Sequence, residues 1–172
     1  MEFLAESAKL ILPAALVMYA MFLTIRSFLQ KDFEKKLIEL KVKNSEVILP
    51  NRLQAYERIC LFLERVSPHN LLPRVNHPGL SATELKSVLA HEIREELNHN
   101  LSQQVYMSDN AWNLVKGTSE NLILLINEEA GKLPADAKGL DLAKVIFERM
   151  SREEDFISGA LSEIKKEIRT LF

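Results

Sequence analysis

Residues Leu10–Ile25 read LILPAALVMYAMFLTI, sixteen residues without a formal charge. As an α-helix they cover roughly 24 Å, at about 1.5 Å per residue. A hydrocarbon core is about 30 Å thick. The flanks supply the difference. Phe3, Leu4, Ala5 and Ala8 extend the apolar character upstream, and Ser27, Phe28 and Leu29 carry it past Arg26. Lys9 and Arg26 can snorkel to the two interfaces. Pro13 removes one backbone donor, which spans tolerate. The stretch predicts one transmembrane helix, with the lipid bilayer meeting residues 5–29. A short buried helix of a soluble domain is the competing reading. A cleaved signal peptide is disfavoured, because Glu2 and Glu6 stand where a basic cluster belongs and no small-x-small site follows the run.

Basic residues set the expected orientation. Lys9 alone precedes the run, whereas Arg26, Lys31, Lys35, Lys36, Lys41 and Lys43 follow it. The N-terminus is therefore expected outside and the C-terminal part in the cytoplasm. The single cysteine, Cys60, permits no intrachain disulfide and agrees with a reducing compartment. A net charge of −2 over 172 residues gives no electrostatic support for nucleic-acid binding.

Working outward, the chain divides into a membrane anchor at 1–30, a charged juxtamembrane stalk at 31–49 and an α-helical domain at 50–172. The stalk carries Phe33, Leu37 and Leu40 as one narrow helical stripe. Lys43–Asn44–Ser45 predicts a break, Val47–Leu49 an extended piece, and Pro50 a new helix start. Asn51–Val66 places Leu53, Tyr56, Ile59, Cys60, Phe62, Leu63 and Val66 on a broad apolar face. Arg58 and Arg65 lie near one face, an ordinary solvated surface or an anion site. Ser67–Gly79, with three prolines, reads as a long irregular connection.

Ser81-x-x-Glu84 is a capping box opening a helix to about Tyr106. Ser108 or Asp109 caps the next helix, which contains Trp112 as a core anchor and ends near Gly131, a C′ glycine. Leu140–Met150 is a short helix. Ser151-x-x-Glu154 forms a second capping box for a final helix with Phe156, Ile157, Ala160, Leu161, Ile164, Ile168 and Leu171. The predicted fold class is all-α: a single N-terminal transmembrane helix, a helical stalk and a cytoplasmic bundle of about five helices.

Three segments carry a family resemblance. Leu49–Arg74 (LPNRLQAYERICLFLERVSPHNLLPR), Glu96–Trp112 (ELNHNLSQQVYMSDNAW) and Glu163–Phe172 (EIKKEIRTLF) resemble blocks of a domain-of-unknown-function family of single-span membrane proteins from Bacteroidota. The resemblance implies the anchored architecture and a bacterial inner-membrane setting. It implies no catalytic residues.

The densest chemical constellation is His91-Glu92-x-x-Glu95-x-x-x-His99. It is similar to the zinc motif H-E-x-x-H, with Glu95 in the second ligand place. His91, Glu95 and His99 are the candidate metal ligands. His91 and His99 are roughly 12 Å apart along the axis, so one ion is not expected to hold all three. A charged, solvated helix face is the simpler reading. A second set is Glu96, His99, Asn100, Gln103 and Gln104, of which Glu96, Asn100 and Gln103 fall within or beside the Leu85/Leu89/Ile93 stripe. Polar groups on a packing face need partners. The set is a buried network with Tyr106, a partner or ligand surface, or the wet end of the helix. His69 and His77 read as solvated loop residues.

Nucleophile elbows and phosphate loops are absent from the sequence, and no cofactor is implied. The preferred function is a non-enzymatic, membrane-anchored interaction or assembly module that binds a protein partner or self-associates. A metal-binding protein or metal-dependent enzyme is the alternative.

Overall fold

The computed structural model describes the backbone of residues 2–152 and 155–170, and the side chains of 15–43, 46–152 and 155–170. The described residues are helical almost throughout. Helix α1 covers Glu2–Val66, α2 Pro68–Val75, α3 Ala82–His99, α4 Asp109–Gly131, α5 Gly139–Arg152 and α6 Phe156–Arg169. A 3₁₀ helix, Leu101–Tyr106, separates α3 from α4. The chain divides into two compact units, residues 1–49 and 50–172.

The expected membrane span is corrected. Among the described residues, no helix is long and apolar enough to cross a membrane. The described side chains begin at Ala15, and from there eleven uncharged residues reach Ile25 before Arg26. That is about 16 Å at standard rise, roughly half a hydrocarbon core. Extension past Arg26 soon meets Lys31, Asp32 and Glu34. The side chains of Leu10–Ala14 lie outside the described residues. The single-pass, inner-membrane placement with a cytoplasmic bundle falls with the span.

The break expected at Lys43–Ser45 and the extended Val47–Leu49 are also absent, because α1 runs on through Pro50. Proline within a helix removes one i→i−4 bond, and here the flanking turns hold. The side chains of Asn44 and Ser45 lie outside the described residues.

Within 50–172, apolar periodicity builds one core. Tyr56, Ile59, Phe62 and Leu63 of α1 meet Leu85, Leu89 and Ile93 of α3, Val115, Leu122 and Ile126 of α4, Leu142 and Ile146 of α5, and Ile157 and Ile164 of α6. Trp112 is buried in the same cluster. The proline-rich segment read as irregular contains α2. Pro68 sits at its first turn, where a missing N–H costs nothing. Pro68, Leu71, Leu72 and Val75 are buried, the i, i+3, i+4, i+7 pattern of a core-facing helix. A turn follows in which Leu80 N–H donates to the His77 carbonyl at 3.3 Å. Gly79 takes φ +100° there, behind Pro78. Proline then glycine in the two central places is the type II turn pattern.

The Ser81 capping box forms. The Ser81 hydroxyl accepts from Glu84 N–H at 3.2 Å, and the Glu84 carboxylate accepts from Ser81 N–H at 2.9 Å. The helix stops at His99, short of Tyr106, where its apolar stripe leaves the core: Ile93 is buried, Leu97 half-buried and Leu101 exposed. Two expected caps are corrected. Gly131 ends α4 without a left-handed conformation, since Gly79 alone among the described residues has a positive φ. Ser151 lies inside α5, and Asp155 caps α6 by accepting from Ile157 and Ser158 N–H, each at 3.1 Å. Glu154 is outside the described residues.

An isolated antiparallel bridge, Ser81 to Lys138, pins the start of α3 to the start of α5. Gly139 N–H donates to the Leu80 carbonyl at 2.8 Å. A Cβ at Gly139 would stand 2.9 Å from Asn76 Oδ1 and 3.2 Å from the Leu80 carbonyl oxygen.

Candidate interaction surface

The polar residues singled out on α3 are not gathered into one site. His91 and His99 are exposed. Glu92 pairs with Arg74 at 3.4 Å, and Glu95 accepts from Asn98 at 3.3 Å. Among the described residues, no three of His, Cys, Asp and Glu lie together as a metal could require. Glu96 pairs with Arg65 at 3.2 Å. Asn100 is buried and donates to the Glu96 carbonyl at 2.8 Å, closing the end of α3. Gln103 is half-buried and donates to Ser102 at 3.0 Å, and Gln104 is exposed. Tyr106 contributes its carbonyl, which accepts from Arg52 Nε at 3.1 Å.

A different polar node emerges at Glu167, on the last turn of α6. Tyr56 of α1 donates its hydroxyl to Glu167 Oε1. Ser108, the N-cap of α4, donates its N–H to the same oxygen at 3.3 Å and its hydroxyl to Oε2 at 2.8 Å. Ser108 Oγ in turn accepts from Ala111 N–H at 3.1 Å. Partial burial pushes the Glu167 carboxyl up. The Tyr56 and Ser108 hydrogen bonds and the Arg52 charge outweigh it and hold the group below its ordinary range. Burial, reinforced by the Glu167 hydrogen bond and charge, raises the Tyr56 phenol. A carboxylate with both oxygens engaged and a lowered pKa is a weak base at neutral pH. It is a latch joining three helices. In the sequence its parts look unrelated: Tyr56 lies on a core face, Ser108 is a cap candidate, and Glu167 carries no signal of its own.

A second latch closes α4 on α5. The buried Glu129 accepts from Lys132 Nζ at 2.6 Å and from Arg149 Nη1 at 3.4 Å. These polar groups serve packing within 50–172. The apolar side chains left exposed there, such as Leu61, Val105, Leu124 and Leu140, are scattered over different elements. An open groove of about 400 Å³ between α3 and α4 is lined by Ile93, Leu97, Ile123 and Leu124 with Arg94 and Glu120 at its rim.

Residues 1–49 contrast sharply. From Leu16 to Ile48 every large apolar side chain described on α1 is exposed. A family model matches residues 2–171, so the match takes in this helix as well as the bundle. The chain belongs to DUF7935, a family of unknown function. No curated protein and no solved structure matches it. Of the resemblance read from Leu49–Arg74, Glu96–Trp112 and Glu163–Phe172, membership of a family of unknown function holds; the match carries neither a membrane span nor a Bacteroidota origin, and it assigns no activity.

In this DUF7935 chain one part of the exposed apolar surface of α1 forms a stripe. At about 100° per residue, Met18, Phe22, Ile25, Leu29, Phe33, Leu40 and Val47 fall within roughly 80° of arc, with Leu37 beside them, while Leu16, Val17, Met21, Leu23, Phe28, Ile38 and Val42 are exposed around the rest of the helix. Phe33 is 65% exposed and Val47 70%. An apolar stripe on a helix is ordinarily the face that packs.

Proposed function

We propose that this chain is a protein-interaction or assembly module that works through the exposed apolar stripe of α1. The carrying observation is the stripe Met18–Val47, whose side chains are exposed along its whole length. Burying one such side chain contributes about 1.5–3 kcal/mol. Seven at the lower figure give roughly 10 kcal/mol, comparable with the about 4–15 kcal/mol that association costs. One or two contacts would not hold a complex, whereas covering most of the stripe would. The bundle at 50–172 has its strongest polar groups engaged in helix-to-helix latches, which favours a binding role over chemistry.

Photo-reactive residues placed singly at Phe22, at Leu29 and, as a control, at Leu61 test this in the full chain within its native host. The reading expects one defined protein adduct from the α1 positions and none from Leu61. Equal, diffuse labelling from all three, or none from α1, would contradict it.

A further inference from the structure

The stripe has a flank of alternating sign. Asp32, Lys36, Glu39, Lys43 and Glu46 step by four and three residues along α1, which keeps them within roughly 80° of arc at 100° per residue. The sequence of charges is minus, plus, minus, plus, minus, with Lys35 just outside the arc. The opposite flank carries Arg26, Gln30, Glu34 and Lys41. Lys36 falls inside the apolar arc, so whatever covers the stripe must answer a positive charge there.

We propose that the segment Leu29–Val47 of α1 pairs with the same segment of a second copy of this chain, running antiparallel. This rests on the reading of α1 as an interaction surface and names its partner. In an antiparallel pair like flanks meet. Reversing the ladder about a point between Leu37 and Ile38 sets Asp32 opposite Lys43 and Lys36 opposite Glu39 of the second copy. Twofold symmetry repeats both pairs. A parallel pair instead brings the ladder against the opposite flank, with Lys36 beside Lys41. Exposed charge pairs fix orientation far more than affinity. Affinity comes from Leu29, Phe33, Leu37, Leu40 and Val47 of each copy. At roughly 100 Å² each they bury about 500 Å² per copy, below the about 800 Å² of a standard interface. The pair is therefore dynamic and concentration-dependent. Met18, Phe22 and Ile25 lie beyond the overlap.

Disulfide trapping in the full chain tests the geometry, in a Cys60→Ala background that removes the native thiol. Leu37→Cys sits next to the symmetry point and should give a disulfide-linked dimer under mild oxidation. Ile38→Cys, exposed on the opposite face of the helix, should not. Leu29→Cys and Val47→Cys should each stay monomeric alone and link to one another when mixed. Homodimers of Leu29→Cys would overturn the antiparallel arrangement. No linkage in any combination would overturn the second copy as partner. If photo-reactive Phe22 still captured one defined protein, the interaction reading would survive that loss; if it captured none, both would fall.

Discussion

Replacing Glu167 by alanine tests the latch that ties α6 to α1 and α4. The change removes the acceptor for the Tyr56 hydroxyl, the Ser108 hydroxyl and the Ser108 N–H. A hydrogen bond to a charged partner contributes about 1.5–3 kcal/mol, and contacts within one network are not additive. Water can reach part of the vacated site, since Glu167 is only half-buried. The expected loss is about 2–4 kcal/mol. For a bundle of this size each kcal/mol moves Tm by roughly 4 °C, so Tm should fall by about 8–16 °C. The pH dependence is set by the lowered Glu167 pKa. A carboxyl with a depressed folded pKa contributes stability above its unfolded value, about 4.3, and loses it as pH falls through the folded value. The gap between wild type and Glu167→Ala should therefore be full at pH 7 and narrow below pH ~4. Fluorescence of Trp112, the single tryptophan, reports the transition from α4, four residues after the Ser108 cap. A Tm within about 2 °C of wild type, or a gap unchanged at low pH, would refute the latch.

Three further substitutions probe the geometry of the bundle. Gly139→Ala should destabilise by about 1–3 kcal/mol in urea unfolding, because its Cβ meets Asn76 and the Leu80 carbonyl; an unchanged midpoint would contradict that close approach. At Gly79, φ +100° strains any Cβ, so Gly79→Ala should cost about 1 kcal/mol in the same assay, with no gain at any pH. Arg149→Met removes one partner of the buried Glu129, leaving Lys132. A loss of about 2 kcal/mol is expected, and high salt should reduce it little because the carboxylate is shielded from water.

Much of the bundle was legible because it follows local rules. The Ser81–Glu84 pattern specifies a capping box by residue type and spacing alone, and both of its bonds form. The four-residue step of Leu85, Leu89 and Ile93 names its own buried face. The failures have physical causes. Prolines at 68, 73 and 78 suggested a loop, yet Pro68 occupies the one place where a helix accepts proline freely. Pro50 suggested a start, but strong flanking turns carried α1 through it. Ser151 lost its expected capping role because α5 continues past it to Arg152. The Glu167 latch joins positions 56, 108 and 167, separations that no local pattern encodes. The α3 polar residues illustrate the converse. They are neighbours in sequence, but Glu96 turns to Arg65, Glu92 to Arg74 and Asn100 to its own helix. The apolar run at the N-terminus was the boldest reading, and it is corrected because no helix among the described residues is long and apolar enough to cross a membrane.

The central claim is that the α1 stripe is a covered surface in the working assembly. Amide hydrogen exchange along residues 15–43 of the full chain tests it directly, comparing the assembled species with Phe33→Glu/Leu40→Glu. An isolated, solvated helix opens readily and exchanges fast. Slow exchange is predicted along the stripe in the assembled wild type, with protection lost in the double variant while 50–172 stays protected in both. Fast exchange along α1 in a species that is demonstrably assembled would contradict the claim.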